Sequence, residues 1–124
     1  MSIVDSPAPI VLFCYNRPWH LQQTVESLKK NTLASLSDLI VYADGPKNVS
    51  DNQSIKEIRT ILQNITGFKS VTIIAAEKNR GLSNSVIAGV TEILNQVDRV
   101  IVMEDDLLST PDYLSFMNQC LETF

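Results

Sequence analysis

Asp98-Arg99-Val100-Ile101-Val102-Met103-Glu104-Asp105-Asp106-Leu107-Leu108 is an apolar run of strand length that stops at three consecutive carboxylates. Helix-start chemistry follows at Thr110-Pro111-Asp112. Neighbouring carboxylates repel one another and each resists desolvation, so the triplet works against stability unless something neutralises it. A divalent cation bound through oxygen does so. The stretch therefore predicts a buried strand that delivers a metal site at its carboxyl end.

Upstream, the same strand-then-helix unit recurs. Pro9-Ile10-Val11-Leu12-Phe13-Cys14-Tyr15 is a continuous β-prone run, buried on both faces. Asn16-Arg17-Pro18 ends it, and Pro18 opens a helix to about Lys30 whose Leu21, Val25 and Leu28 share a face. Strand chemistry returns at 38–43 and stops at Asp44-Gly45-Pro46-Lys47. Ser50 or Asp51 then caps a helix to about Asn64, with Gly67 closing it. A third strand, 70–76, leads into Asn79-Arg80-Gly81 and a helix from about Ser83 to Gln96, in which Gly89 permits close packing on a strand. The last helix runs from Pro111 to the end. This β-α-β-α-β-α-β-α order implies an α/β class fold with a mostly parallel sheet and helices on both sides.

The whole is one domain of 124 residues, 44% hydrophobic and 19% charged, an ordinary globular composition. A net charge of -4 argues against nucleic acid as a partner. No apolar run approaches the ~18 residues of a transmembrane segment, and the N-terminus lacks a signal-peptide pattern. The chain reads as cytoplasmic, with the inner face of the membrane as a second location. Cys14 reads as a small buried hydrophobe, His20 as a surface residue and Trp19 as a packing residue. Three Asn-x-Ser/Thr matches, at Asn48, Asn52 and Asn64, are chance without a secretory signal.

In parallel sheets of this kind ligands bind beyond the carboxyl ends of the strands. The residues there are Asn16-Arg17, Asp44-Gly45, Asn79-Arg80-Gly81 and Glu104-Asp105-Asp106. Arg17 and Arg80 are forks suited to phosphate oxygens, Asp44 accepts from a base or ribose, and the triplet holds a cation bridging phosphates. Together they describe a diphosphate ligand with a metal. The sequence lacks Gly-x-Gly-x-x-Gly after the first strand, a Walker Gly-Lys-Ser/Thr, and the histidines of a triad or zinc site.

Residues 9–18, Ala43-Asp44-Gly45, Lys78-Asn79-Arg80-Gly81-Leu82 and Val102-Met103-Glu104-Asp105-Asp106-Leu107 resemble, in order, the motifs of GT-A glycosyltransferases. The likeness is greatest to the N-acetylglucosaminyltransferase I type, with its Glu-Asp-Asp signature, and to family 2. The resemblance implies a Rossmann-like three-layer α/β/α domain that binds a nucleotide-sugar donor and passes its sugar to a carbohydrate acceptor, with inversion. It implies that Arg17 meets the diphosphate and Asp44 a uracil ring. Asn16, Gly45 and Asn79-Arg80-Gly81 would shape the pocket, and Asp106 would bind Mn²⁺ or Mg²⁺. Glu104 and Asp105 would hold ribose or metal-bound water, Glu104 also counting as a metal ligand. Such enzymes are usually about twice this length, so residues 1–124 are expected to be the donor half of a longer transferase, with the general base elsewhere. Leu114, Phe116, Met117, Leu121 and Phe124 make the last helix apolar, ready to pack on that remainder or on a second copy as a homodimer. The alternatives are a non-catalytic nucleotide-binding scaffold and, less favoured, a receiver-like phosphoacceptor domain. The latter places its acidic pair after the first strand, where this chain has Asn16-Arg17.

Overall fold

The computed structural model describes residues 7–105, 111 and 113–123. Four parallel strands, β1 (Ile10–Cys14), β2 (Asp38–Ala43), β3 (Ser70–Ala75) and β4 (Ile101–Glu104), lie in the order β3-β2-β1-β4. The helices are α1 (Pro18–Lys29), α2 (Asn52–Gln63), α3 (Leu82–Leu94) and α4 (Tyr113–Thr123). The chain moves outward from β1 through β2 to β3, then returns to place β4 on the other side of β1. That reversal sets the carboxyl ends of β1 and β4 side by side at the point where strand order changes direction, the place where parallel sheets of this kind bind ligands.

Strand periodicity divides the core into two layers. Ile10, Leu12 and Cys14 pack with Leu21, Val25, Leu28, Ile58 and Leu114, the inward residues of α1, α2 and α4. Val11 and Phe13 turn to the other face, where Tyr42, Ile93, Val86 and Val90 place α3. The sheet is thus sandwiched, as its apolar strands require. Each fully buried side chain such as Leu12 or Ile101 contributes about 1.5–3 kcal/mol, which makes β1 and its neighbours the anchor of the domain.

Several expectations are corrected by packing. The strand ahead of the carboxylates is less buried than read: β4 is an edge strand with Val102 exposed, and β3, the other edge, exposes Ser70, Thr72, Ile74 and Ala75. Trp19 does not pack in the core; it stands 68% exposed with its ring edge-on to His20. α2 closes at Asn64, before Gly67. On α4, Leu114 is buried and Met117 and Leu121 pack on the chain's own core, leaving Phe116 as an exposed apolar residue. Phe124 lies outside the described residues. Gly89 behaves as read: a Cβ there would come within 3.0 Å of Tyr42 and 3.1 Å of Phe13, whose rings stack 5.4 Å apart beneath α3. Among the described residues no helix is long and apolar enough to cross a membrane.

Candidate functional site

The carboxyl ends of the sheet open into one cleft of about 400 Å³. Asn16, Arg17, Asp44, Asn79, Gly81, Glu104 and Asp105 all line it. Residues far apart in sequence are therefore brought to one place by the parallel topology, as the strand-end argument requires. Asp106 lies outside the described residues.

Asp44 follows β2 and is buried, which would be costly for a bare carboxylate. Its Oδ1 accepts from the backbone N–H of Gly45 and of Arg80, both at 2.8 Å. Its Oδ2 accepts from the Gly81 N–H at 3.1 Å and from Asn79 Nδ2 at 3.2 Å. A carboxylate has about four acceptor positions, so the protein's own donors occupy those expected to meet a nucleobase. Asp44 builds the wall of the cleft by folding the β3–α3 loop onto the end of β2. Gly45 completes that wall by lacking a side chain. A Cβ there would lie 2.7 Å from the carbonyl carbons of Glu77 and Lys78.

Arg80 gives its backbone N–H to Asp44, but it is not among the residues lining the cleft; it borders a surface groove along α3 with Asn84, Thr91 and Glu92. Arg80 also lines a smaller cavity with Tyr42, Ala43, Asp44 and Ser85. Lys47, read only as part of a turn, lines the cleft instead.

Across the cleft Arg17 Nη2 donates to Asp105 Oδ1 at 2.6 Å. Asp105 is buried, with its side chain only 4% exposed, whereas Arg17 is 46% exposed. The Asp105 carbonyl also accepts from the buried Thr24 hydroxyl at 2.9 Å, tying the end of β4 to α1. Glu104 pairs in register with Phe13 and lines the cleft, its carboxylate making no hydrogen bond or ion pair with the described residues. Among those residues no three acidic, histidine or cysteine side chains converge as a metal cage. Glu104 and Asp105 nonetheless supply the hard oxygens that Mg²⁺ or Mn²⁺ takes, and Glu104 reaches the cleft. In kind and place, these residues fit such an ion.

Two residues were not read from sequence as parts of the site. Asp51 precedes α2 where a capping side chain is expected, yet it makes no cap bond. Its carboxylate reaches back to Tyr15 Oη and Asn16 Nδ2, the latter at 2.9 Å, and accepts the Lys47 N–H at 2.9 Å. The Tyr15 hydroxyl, then Asn16 and Lys47, hold the Asp51 carboxyl down at about 2. Tyr15 is shifted up, by desolvation and by donating to Asp51. Arg59 on α2 donates from Nη2 to the carbonyls of Asp44 at 3.3 Å and Ala76 at 3.1 Å, joining the ends of β2 and β3 beneath the cleft. Cys14, on the cleft floor, is a buried thiol pushed up to about 12 chiefly by desolvation, which makes it inert as a nucleophile.

The model of glycosyl transferase family 2 matches residues 10–119, from the start of β1 into α4. The crystal structure of S. aureus TarS superposes with a TM-score of 0.60 at 15% identity, covering 94% of this chain and 20% of that one. The mannosyltransferase PcManGT from Pyrobaculum calidifontis, in complex with GDP-Man and Mn²⁺, gives 0.60 at 10% identity, covering 96% and 33%. At these identities the likeness shows the fold alone, the Rossmann-like α/β arrangement of GT-A enzymes. The chain spans about a fifth and a third of those two proteins. No curated protein matches it.

Proposed function

The chain belongs to glycosyl transferase family 2, and we propose that it is the donor-binding half of a metal-dependent transferase. The enzyme moves a sugar from a nucleoside-diphospho-sugar, with UDP as the first candidate, to a carbohydrate hydroxyl with inversion. The observation that carries this reading is the pairing of Arg17 with Asp105 at the adjoining ends of β1 and β4, beside Glu104. A guanidinium fork next to carboxylates offers a diphosphate one direct cation and a route to a second, metal-borne one. Arg17 binds and orients the diphosphate, and Lys47 adds positive charge from the β2–α2 loop. Asp106 and Glu104 would hold the ion, and Glu104 and Asp105 the ribose or a metal-bound water. When bound, the divalent ion supplies Lewis-acid neutralisation of the departing diphosphate. Asp44, through its bonds to residues 79–81, holds the nucleotide-facing wall rigid.

Thermal unfolding with UDP or GDP, each with Mn²⁺ or Mg²⁺, tests the reading. At one hundred times Kd, ligand stabilises by about 2.7 kcal/mol, or about 10 °C for a chain of this size. Arg17→Ala lowers the ligand-free stability by about 1–3 kcal/mol, because the Asp105 end of the pair is buried, but it removes most of the nucleotide-induced shift. Absence of any shift with every diphosphate and metal combination refutes the proposal.

A further inference from the structure

We propose that Asp51 is a positioning residue for the nucleoside-diphosphate donor, fastening the β1–α1 loop to the β2–α2 loop and so setting one wall of the cleft. The inference rests on the donor-site reading above. Asp51 is not itself among the residues lining the cleft, yet Tyr15, Asn16 and Lys47, three of the residues that donate to it, all are. Oδ2 takes the Tyr15 hydroxyl and the Lys47 N–H, while Oδ1 takes Asn16 Nδ2. The Lys47 N–H also reaches the Tyr15 oxygen at 3.3 Å, closing a triangle between the two loops. Arg17 follows Tyr15 and Asn16 directly, so the place from which it reaches Asp105 is set by the same fastening. Asp51 therefore does for the first two loops what Asp44 does for the third: a buried carboxylate gathers loop donors. Its position ahead of α2 would suit a cap, and the missing cap bond shows where its acceptors go instead.

Asp51→Asn tests this, because an amide in that place turns an N–H₂ toward at least one donor and breaks at least one bond. The variant should unfold cooperatively, exchange the Lys47 amide proton faster without nucleotide, and bind UDP with Mn²⁺ about tenfold more weakly, the loss of one charge-assisted hydrogen bond. Tyr15→Phe should accelerate the same amide, and the double variant should bind UDP no worse than the weaker single variant, since both act through one contact. If Asp51→Asn does not fold, Tyr15→Phe carries both measurements. Lys47 exchange unchanged in either variant overturns the fastening. UDP affinity within about twofold of the parent, or losses that add in full, overturns the positioning role. A parent protein that binds no nucleoside diphosphate overturns the donor-site reading and the positioning role with it, while the exchange data report on the fastening alone.

Discussion

Gly45→Ala is the sharpest perturbation of the cleft wall. Gly45 is buried and does not have a positive φ, so the site demands space and not an unusual backbone conformation. An added Cβ would lie 2.7 Å from the carbonyl carbons of Glu77 and Lys78 and 2.8 Å from the Ala76 oxygen. Comfortable carbon contacts are about 3.5–4.0 Å, so the shortfall is close to ~1 Å against three main-chain atoms that have no rotamer to change. The β3–α3 loop must retreat. Overpacking of this sort costs about 1–3 kcal/mol. Retreat also stretches the Asn79 Nδ2 bonds to Asp44, 3.2 Å, and to the Gly45 carbonyl, 3.1 Å, at about 0.5–1.5 kcal/mol each. A total of about 2–4 kcal/mol follows, allowing for partial loss of those bonds. With an unfolding entropy of about 2.1 cal/mol/K per residue, each kcal/mol moves the Tm of 124 residues by about 4 °C. The variant should melt about 8–16 °C lower by circular dichroism and should bind UDP more weakly. A Tm within about 2 °C of the parent, with unchanged affinity, would falsify the claim that backbone contact at Gly45 forms the wall.

Gly89→Ala meets softer neighbours, the rings of Tyr42 and Phe13 at 3.0–3.1 Å. Its gain in helix propensity, about 1 kcal/mol, offsets part of the contact cost, so stability should fall by no more than about 1–2 kcal/mol. The tilt of Tyr42 should loosen its 3.0 Å bond to Glu92. Desolvation and that bond push the Tyr42 hydroxyl up to about 12, and tyrosinate absorbance should then develop at lower pH; an unaltered titration curve argues against the contact. Asp51 predicts an acid dependence of definite sign. Its folded pKa of about 2 lies below the ordinary 3.8, so its stabilisation is complete above 3.8 and lost as pH falls toward 2. The Tm difference between the parent and Asp51→Asn should be constant near neutrality and shrink through that window. A difference that grows on acidification would contradict the assigned bonds.

Much of this protein is written locally. The apolar runs at 10–14 and 38–43, Pro18 at a helix start, and the spacing of Leu21, Val25 and Leu28 each declare an element through burial and backbone preference that neighbours along the chain enforce. Their β-α alternation implies a parallel sheet, and a parallel sheet gathers its carboxyl ends on one edge. Those two steps suffice to bring Arg17, Asp44, Asn79, Glu104 and Asp105 to one cleft from sequence alone. Strand order, edge exposure and side-chain partnership depend on contacts across dozens of residues, and no periodicity encodes them. Only packing decides that β3 is an edge and that α4 uses Leu114 on its own core. Only the loops' meeting turns Asp44 inward onto the backbone of Arg80 and Gly81. Asp51 shows the limit most clearly. In sequence an aspartate before an apolar helix is a cap, because capping is the nearest use for its oxygens. In three dimensions the β1–α1 loop brings Tyr15 and Asn16 within reach, and those long-range donors, with the Lys47 N–H, take the carboxylate.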